Sequence, residues 1–364
     1  MKIALIDSFF SGSHKKWGQD LKKYSKHQIE LFTMTGIHWK WRMHGGSITL
    51  AQKLNKSNFI PDLIIVTDMI NLGDFKSLLN NKLKHIPIIL YFHENQLMYP
   101  KTNFDTDKIN QRDNHYGFIN FTSSLIADNI LFNSNFHKNG YINSLNKFLS
   151  KFPDYSLKIN IDDISNKSSV LAIGIKIKNK LKLKSKNDIP VILWNHRWEH
   201  DKNPDEFFKI LFQLKKDNMK FKLNVIGENY KNSPKIFSKA KETLTNEIIN
   251  WGYIQSRDEY YKVLDESDIL LVTSIHDFFG MSIIEAISFG LFPLLPNRLA
   301  YPEHIPKKLN NYCFYNEHDD VVTKLKEILN DKPKGYEKLL FNHIQKYELK
   351  KVVNDYDDYF EKII

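Results

Sequence analysis

The stretch "NHRWEHDKNPDEFF" (195–208) places two cations where chemistry can use them. Arg197 closes an apolar run, and Lys202 follows in a polar loop before a helix whose start is marked by Asn203 and Pro204. An arginine and a lysine converging at the carboxyl end of a strand make a clamp for a diphosphate, the guanidinium holding two oxygens at once. The plainer alternative is a pair of solvated cations. A second segment, "DILLVTSIHDFFGMSIIEAISFG" (268–290), reads as a buried strand from Asp268 to Ile275 and a turn from His276 to Gly280. A short helix follows, and Gly290 can stop it with a left-handed cap. Strand, glycine-containing turn and helix is the layout in which open α/β sheets place ligands. The helix start offers free N–H groups to an anion, so Glu285, a carboxylate inside the run "MSIIEAISF", suggests a second polar feature of the same ligand, such as sugar hydroxyls.

Three further stretches carry weaker signals. "FFSGSHKKW" (9–17) puts Gly12 between a strand and a helix, where backbone can approach a phosphate or a transferring group closely. A structural turn accounts for it equally well, and the absence of G-x-G-x-x-G leaves a dinucleotide site unsupported. "YFHENQLMYP" (91–100) sets His93 and Glu94 at the end of an apolar strand, a place where a lone histidine is often simply packed. His14, His38, His44 and His93 lack the pairwise spacing of a metal site and no H-E-x-x-H occurs, so no bound metal is expected. "GIHWKWRMHGGS" (36–47) mixes aromatics and cations as single-stranded nucleic-acid sites do, and as ordinary loops also do.

These residues must be held by strands and helices in alternation. The first half gives strands at 2–9, 29–34, 62–68, 87–93, 129–134 and 169–175, with helices near 15–26 and 112–127. A lysine-rich stretch closed by a proline, 176–190, reads as a linker. The pattern then restarts with strands at 191–197, 221–227, 248–254 and 268–274 and helices near 204–218, 234–246 and 256–266. Such alternation implies parallel sheets flanked by helices, and two halves of it imply twin Rossmann-like domains, 1–175 and 191–345, facing a cleft. The last stretch, from 346 to 364, reads as an amphipathic helix with Val352, Val353, Tyr356, Tyr359 and Phe360 as its stripe.

The chain has 364 residues, enough for two domains each with its own core. Hydrophobic residues make up 42%, which excludes disorder, and no run is long and apolar enough to span a membrane. The N-terminus is too polar at Asp7 for a signal peptide, and Cys313 is the sole cysteine, so neither an internal disulfide nor a cysteine zinc site can form. A cytoplasmic location is expected. A net charge of +10 suits a polyanionic partner, although lysine is abundant throughout. Arginine is confined to positions 42, 112, 197, 257 and 298, and lysine does not replace its planar fork.

Taken together, Arg197, Lys202, Asp277, the "FG" at 279–280 and Glu285 resemble glycosyltransferase family 4, retaining enzymes of the GT-B fold, whose pattern there is E-x-F-G-x-x-x-x-E-A. Asp277 stands where that family usually has glutamate. "SFFSGSHKKW", "HWKWRMHG", "YFHENQLMYP", "NHRWEHDKNPDEFF", "HDFFG" and "NRLAYPE" are similar, nearly end to end, to the tRNA-queuosine α-mannosyltransferases and their bacterial relatives. The resemblance implies two GT-B domains facing a cleft, with the C-terminal helix crossing back to the N-terminal domain. It implies transfer of mannose from GDP-mannose to the queuosine of a tRNA anticodon, typically an aspartate tRNA, with no metal and no other cofactor. Glu285 would then accept from the nucleotide ribose, and Gly280, Met281 and Ser282 would hold phosphate. Asp277 and His93 would orient the sugar, Gly12 would let a loop approach it, and Gly227 and Glu228 would meet the nucleotide. Arg197 and Lys202 would stabilise the departing diphosphate. His14, Trp39, Trp41, Arg42, Glu94, Asn95 and the lysine-rich first helix would face the tRNA.

Two other readings stay open on sequence. One is a retaining transferase with another sugar nucleotide and a glycan or lipid acceptor, for which "HKKWGQDLKKYSKH" (14–27) would be a basic helix on an anionic membrane, though its apolar face is sparse. The other is a non-catalytic RNA-binding protein, which predicts a broken donor site. No membrane insertion is expected, and the sequence is silent on oligomeric state.

Overall fold

The computed structural model describes residues 1–100, 114–155, 157–177, 187–229 and 233–364. Arg112 and most of the expected linker lie outside them. The chain divides into two units, one of residues 1–174 with 349–364 and the other of residues 175–348.

The first unit is built on β1 (Lys2–Phe10), β2 (Gln28–Thr35), β3 (Leu63–Thr67), β4 (Ile88–Phe92), β5 (Asn129–Phe132) and β6 (Ser168–Val170). They form one parallel sheet in the order β2-β1-β3-β4-β5-β6. β3 and β4 are buried on both faces, which is why "LIIVT" and "IILYF" are unbroken apolar runs rather than alternating ones. The second unit holds β7 (Val191–Trp194), β8 (Lys222–Ile226), β9 (Ile248–Gly252), β10 (Ile269–Leu271), β11 (Phe292–Pro296) and β12 (Phe314–Tyr315). Its order is β12-β11-β10-β7-β8-β9, again parallel. The chain runs outward from β7 to β9 and then returns to β7's other side as β10, so the strand order reverses between β7 and β10. Ligands of doubly wound sheets bind at such a reversal, beyond the carboxyl ends of the strands.

Several expected elements are shorter than their apolar runs. The strand expected over 268–275 is laddered only over Ile269–Leu271. Val272 still donates to the Leu294 carbonyl, but the Ile275 N–H turns to the Asp201 carbonyl at 2.9 Å, tying this loop to the one that carries Lys202. β11 was not foreseen, because Pro293 and Pro296 argue against an interior strand. It survives because its outer neighbour, β12, is two residues long and meets it only at Leu295 and Pro296. The first helix spans Gly12–Tyr24 instead of 15–26.

The last helix starts at Leu349, not at 346, since Gln345–Tyr347 forms a 3-10 turn. It buries Val352, Val353, Tyr356 and Phe360 within the first unit. Tyr356 lies under the sheet end: its hydroxyl accepts from Trp17 Nε1 at 3.2 Å and donates to the Leu171 carbonyl at 3.1 Å. Trp17 in turn stacks on Tyr91 with centroids 4.4 Å apart. Tyr356→Ala should cost the first unit about 3–5 kcal/mol in urea unfolding, a lost buried ring and two lost hydrogen bonds, while Tyr356→Phe should cost about 1 kcal/mol. Equal losses in both variants would show that the ring itself contributes nothing.

Candidate active site

In the second unit, the loops after β7 and β10 meet at the strand-order reversal. Asn203 takes a left-handed conformation (φ 54°) ahead of Pro204, which begins the helix Pro204–Lys216, and this folds Lys202 inward. Lys202 is 8% exposed. Its ammonium lies 3.1 Å from Asp201 Oδ2 and 3.6 Å from Asp277 Oδ2, and donates to the His276 carbonyl at 2.9 Å. Burial works against its charge, but Asp277 and then Asp201 hold its pKa above the usual lysine value. Asp277 is pushed up by burial and pulled below the ordinary carboxylate range mainly by Lys202. Phe279 N–H donates to the other Asp277 oxygen at 3.3 Å. The pair is therefore a buried, fixed cation beside a fixed carboxylate.

Arg197 is exposed, and Glu199 pairs with its guanidinium, Nη2 lying 3.1 Å from Oε2. With half the arginine side chain in water, that pair adds little stability. Gly280 (φ 85°) precedes the helix Met281–Ser288, and Gly290 (φ 81°) follows it, as the left-handed cap requires. Met281 and Ser282 form its first turn, and Ser282 Oγ lies 3.4 Å from His196 Nδ1. Glu285 sits one turn on; Tyr260 donates to it at 3.2 Å, and Arg257 pairs with it. Arg257 itself lies over the rings of Tyr260 and Tyr261, at 5.0 and 4.9 Å. Gly227 (φ 150°) closes β8 against the His196 carbonyl, where a Cβ would come within 1.9 Å; Glu228, next to it, is exposed.

The sequence reading therefore finds Arg197, Lys202, Asp277, Gly280, Met281, Ser282 and Glu285, and the fold brings them to one end of one sheet. It misses the groups that set their charge and posture: Glu199, Asp201, His196, His276, Arg257 and Tyr260. A carboxylate within a few residues of each cation was the available signal for Glu199 and Asp201. Of the other arginines, Arg298 serves the backbone, donating to the Ser274 and Thr273 carbonyls.

In the first unit, the expected residues separate. Gly12 (φ 48°) has open space where a Cβ would stand, which suits a close approach. Trp39 is packed against Tyr116 and the small cluster of Met43, Met69 and Ile119. Trp41 is 63% exposed beside Arg42, whose guanidinium donates to Thr35. Asn95 faces inward: its Oδ1 accepts from the backbone of Leu97 and Met98, so it shapes a turn. Glu94 lies next to it, half-buried. His14 and His93, 79 residues apart by their numbers, stack with centroids 3.9 Å apart. Asp7 joins them, and the three residues each place a ligand-type atom within 4.8 Å of the others. The sequence spacing that spoke against a metal centre could not see this group, because three separate elements supply it. Both Asp7 oxygens are already engaged, by the Phe9 N–H and by His14.

The twin parallel sheets and this site of paired cations and carboxylates are those of a GT-B glycosyltransferase. Residues 176–353 match the family described as glycosyl transferases group 1. Residues 2–175 match the family described as tRNA-queuosine alpha-mannosyltransferase N-terminal. The chain is 32% identical over 334 residues to a Drosophila melanogaster tRNA-queuosine alpha-mannosyltransferase, covering 89% of this chain and 85% of that one. It belongs to the tRNA-queuosine alpha-mannosyltransferase family. Among solved structures, a lipopolysaccharide outer core galactosyltransferase, WaaB in its apo form, superposes with a TM-score of 0.67 at 15% identity over all of both chains. A glycosyltransferase from Rickettsia africae does so with 0.68 at 16% identity, over 100% of this chain and 98% of that one. Among the described residues no helix is long and apolar enough to cross a membrane.

Proposed function

We propose that this protein transfers mannose from GDP-mannose to queuosine in the anticodon of a tRNA of the aspartate type, with retention and without a metal. The observation that carries this reading is the match of residues 2–175 to the N-terminal domain of that family, since the second unit alone fits many sugar donors. The site supports it. A diphosphate leaving group needs positive charge that is already in place, and buried Lys202 and exposed Arg197 supply it where a metal otherwise would. The bond from the sugar's anomeric carbon to the β-phosphate oxygen breaks as the queuosine hydroxyl attacks from the same face. The proton of that hydroxyl passes to the departing phosphate oxygen, leaving GDP and the mannosylated nucleoside. Asp277, kept ionised by Lys202, accepts from donor-sugar hydroxyls. Glu285 accepts from the ribose, for which Tyr260 and Arg257 hold its carboxylate. Met281 and Ser282 offer their N–H groups to phosphate, and His93 and Gly12 serve the sugar. Exposed Trp41 and Arg42 suit a nucleobase and a phosphate of the tRNA. Action on a tRNA fits a cytoplasmic location.

The test is mass spectrometry of nucleosides after incubation with GDP-mannose and queuosine-containing tRNA, beside tRNA lacking queuosine. A hexose added to queuosine only in the complete reaction supports the reading. Transfer from a different sugar nucleotide would keep the acceptor and replace the donor. No transfer to tRNA from any donor would rule the reading out.

A further inference from the structure

Asp7 sits inside β1 with no exposure, an ionisable side chain in an otherwise apolar strand. Its Oδ1 accepts from the Phe9 N–H at 2.7 Å and its Oδ2 lies 3.0 Å from His14 Nδ1. Among the described residues His14, 5% exposed, is the cationic partner of its carboxylate. A carboxylate buried this deeply requires a counter-charge. The two imidazoles stacked at 3.9 Å cannot both carry a proton's charge without strong repulsion. The charge therefore belongs on the ring that touches a carboxylate, His14. His93 lies edge-on beside the stacked Trp17 and Tyr91 rings, its centroid 4.9 and 4.8 Å from theirs, and both its ring nitrogens are buried without a hydrogen-bond partner. A neutral imidazole of that kind has one donor and one acceptor to offer, which is what a sugar hydroxyl needs. Its backbone is fixed independently: the His93 N–H donates to Asp68 Oδ1 at 2.8 Å and its carbonyl accepts from Asn133 at 2.9 Å.

We infer that Asp7 is a positioning residue of the transferase: it holds His14 as a cation against the face of a neutral His93, and the two rings together form a clamp for a substrate hydroxyl. With Nδ1 turned to Asp7, His14 has Nε2–H to donate to a hydroxyl oxygen. His93 accepts and donates beside it. Asp68 fixes the backbone of His93, while burial, with Glu94 adding, raises its own pKa to about 8, so at neutral pH Asp7 is the carboxylate that holds the charge on His14. The groups facing His14 are Asp7 on β1, Asp68 after β3, and His93 and Glu94 after β4. His137 faces His93 from the helix Asn135–Leu149. Burial lowers the His14 pKa, yet Asp7, with Asp68 and Glu94, raises it to about 9. Burial and then His14 keep His93 well below the usual histidine value. The identity of the hydroxyl, on sugar or queuosine, rests on the function proposed above; the charge arrangement does not.

Two readouts on the full chain separate them. Histidine-ring NMR titration of the ligand-free protein should find His14 protonated until pH about 9 and His93 neutral at pH 6. In Asp7→Asn, which keeps the shape and loses the charge, His14 should titrate near or below 6.5. Transfer by that variant should then fall about thirtyfold at pH 8, the ratio of protonated fractions for pKa values of 9 and 6.5, and much less at pH 6. A variant with a merely structural defect would lose activity equally at both pH values. Should Asp7→Asn fail to fold, the wild-type titration decides alone. His14 neutral at pH 7, an unchanged pH profile in Asp7→Asn, or one equivalent of tightly held zinc that His93→Ala abolishes would each overturn the inference. If no sugar moves to any acceptor while the titrations come out as stated, the functional reading fails and the charged pair stands.

Discussion

Lys202→Ala should lower the rate of transfer about 10²–10³-fold, the usual cost of removing one preorganised charge from a developing anion. The loss should fall mainly on kcat, because the charge on the leaving diphosphate grows in the transition state. The same change strands Asp201 and Asp277, whose shared cation is Lys202. Breaking a buried pair typically costs about 3–5 kcal/mol, so the second unit should also unfold at lower urea. Arg197→Ala separates the two effects. Its side chain is half in water and its partner, Glu199, is partly solvated, so folding should be untouched while transfer falls at least about tenfold. Measuring kcat, KM and urea midpoints for both variants checks the pair of outcomes. Full turnover in a folded Lys202→Ala protein would remove electrostatic stabilisation by this loop from the mechanism.

Acid should unfold the second unit at a pH its carboxylates tolerate. His196, His276 and His304 are each brought down to about 4, chiefly by burial. Lys202 adds to the effect on the first two, and Tyr347 packs against His304, its hydroxyl 3.0 Å from Nδ1. Their folded pKa values lie below the unfolded value of about 6.5. Their contribution to stability is therefore present above pH 6.5 and lost as pH falls toward 4, because only the unfolded chain takes up the protons. At pH 5 each ring costs on the order of 2 kcal/mol relative to neutral pH. Unfolding free energies from denaturant titrations at pH 7 and pH 5 should differ by several kcal/mol in this unit, with a lower midpoint at pH 5, and His304→Gln should remove part of the difference. Equal midpoints at the two pH values would mean these rings are solvated in the folded state.

The fold was legible where hydrophobic pattern and backbone demand agree. Continuous apolar runs gave the buried parallel strands β3, β4, β7 and β8, and Gly280, Gly290 and Asn203–Pro204 marked helix ends correctly. β11 was illegible because its prolines obey a neighbour, the two-residue β12, that no local reading supplies. Arg197 and Lys202 were legible from their place after a strand, and Asp277 from its place in a family motif; the fold brings them together because β7 and β10 are neighbours in the sheet. Asp7 was not legible. In sequence it is one polar residue in an apolar start, and its meaning comes from His14 seven positions on and from His93 on a different strand. Trp39 and Asn95 also carry structural contacts that residue type alone did not suggest: Trp39, half-buried, packs on the Met43 cluster, and Asn95 shapes a turn.

The helix Leu349–Ile363 completes a unit whose sheet is encoded entirely before residue 175. A ribosome therefore makes the first sheet long before it makes Tyr356, the partner of Trp17. Through the synthesis of the whole second unit, the surface that this helix covers, including Trp17, stays open. The unit made first is thus finished last, and during translation it is the one that depends on chaperones. A premature stop just after residue 348 would leave the second unit whole and injure the first, which is encoded far upstream of it.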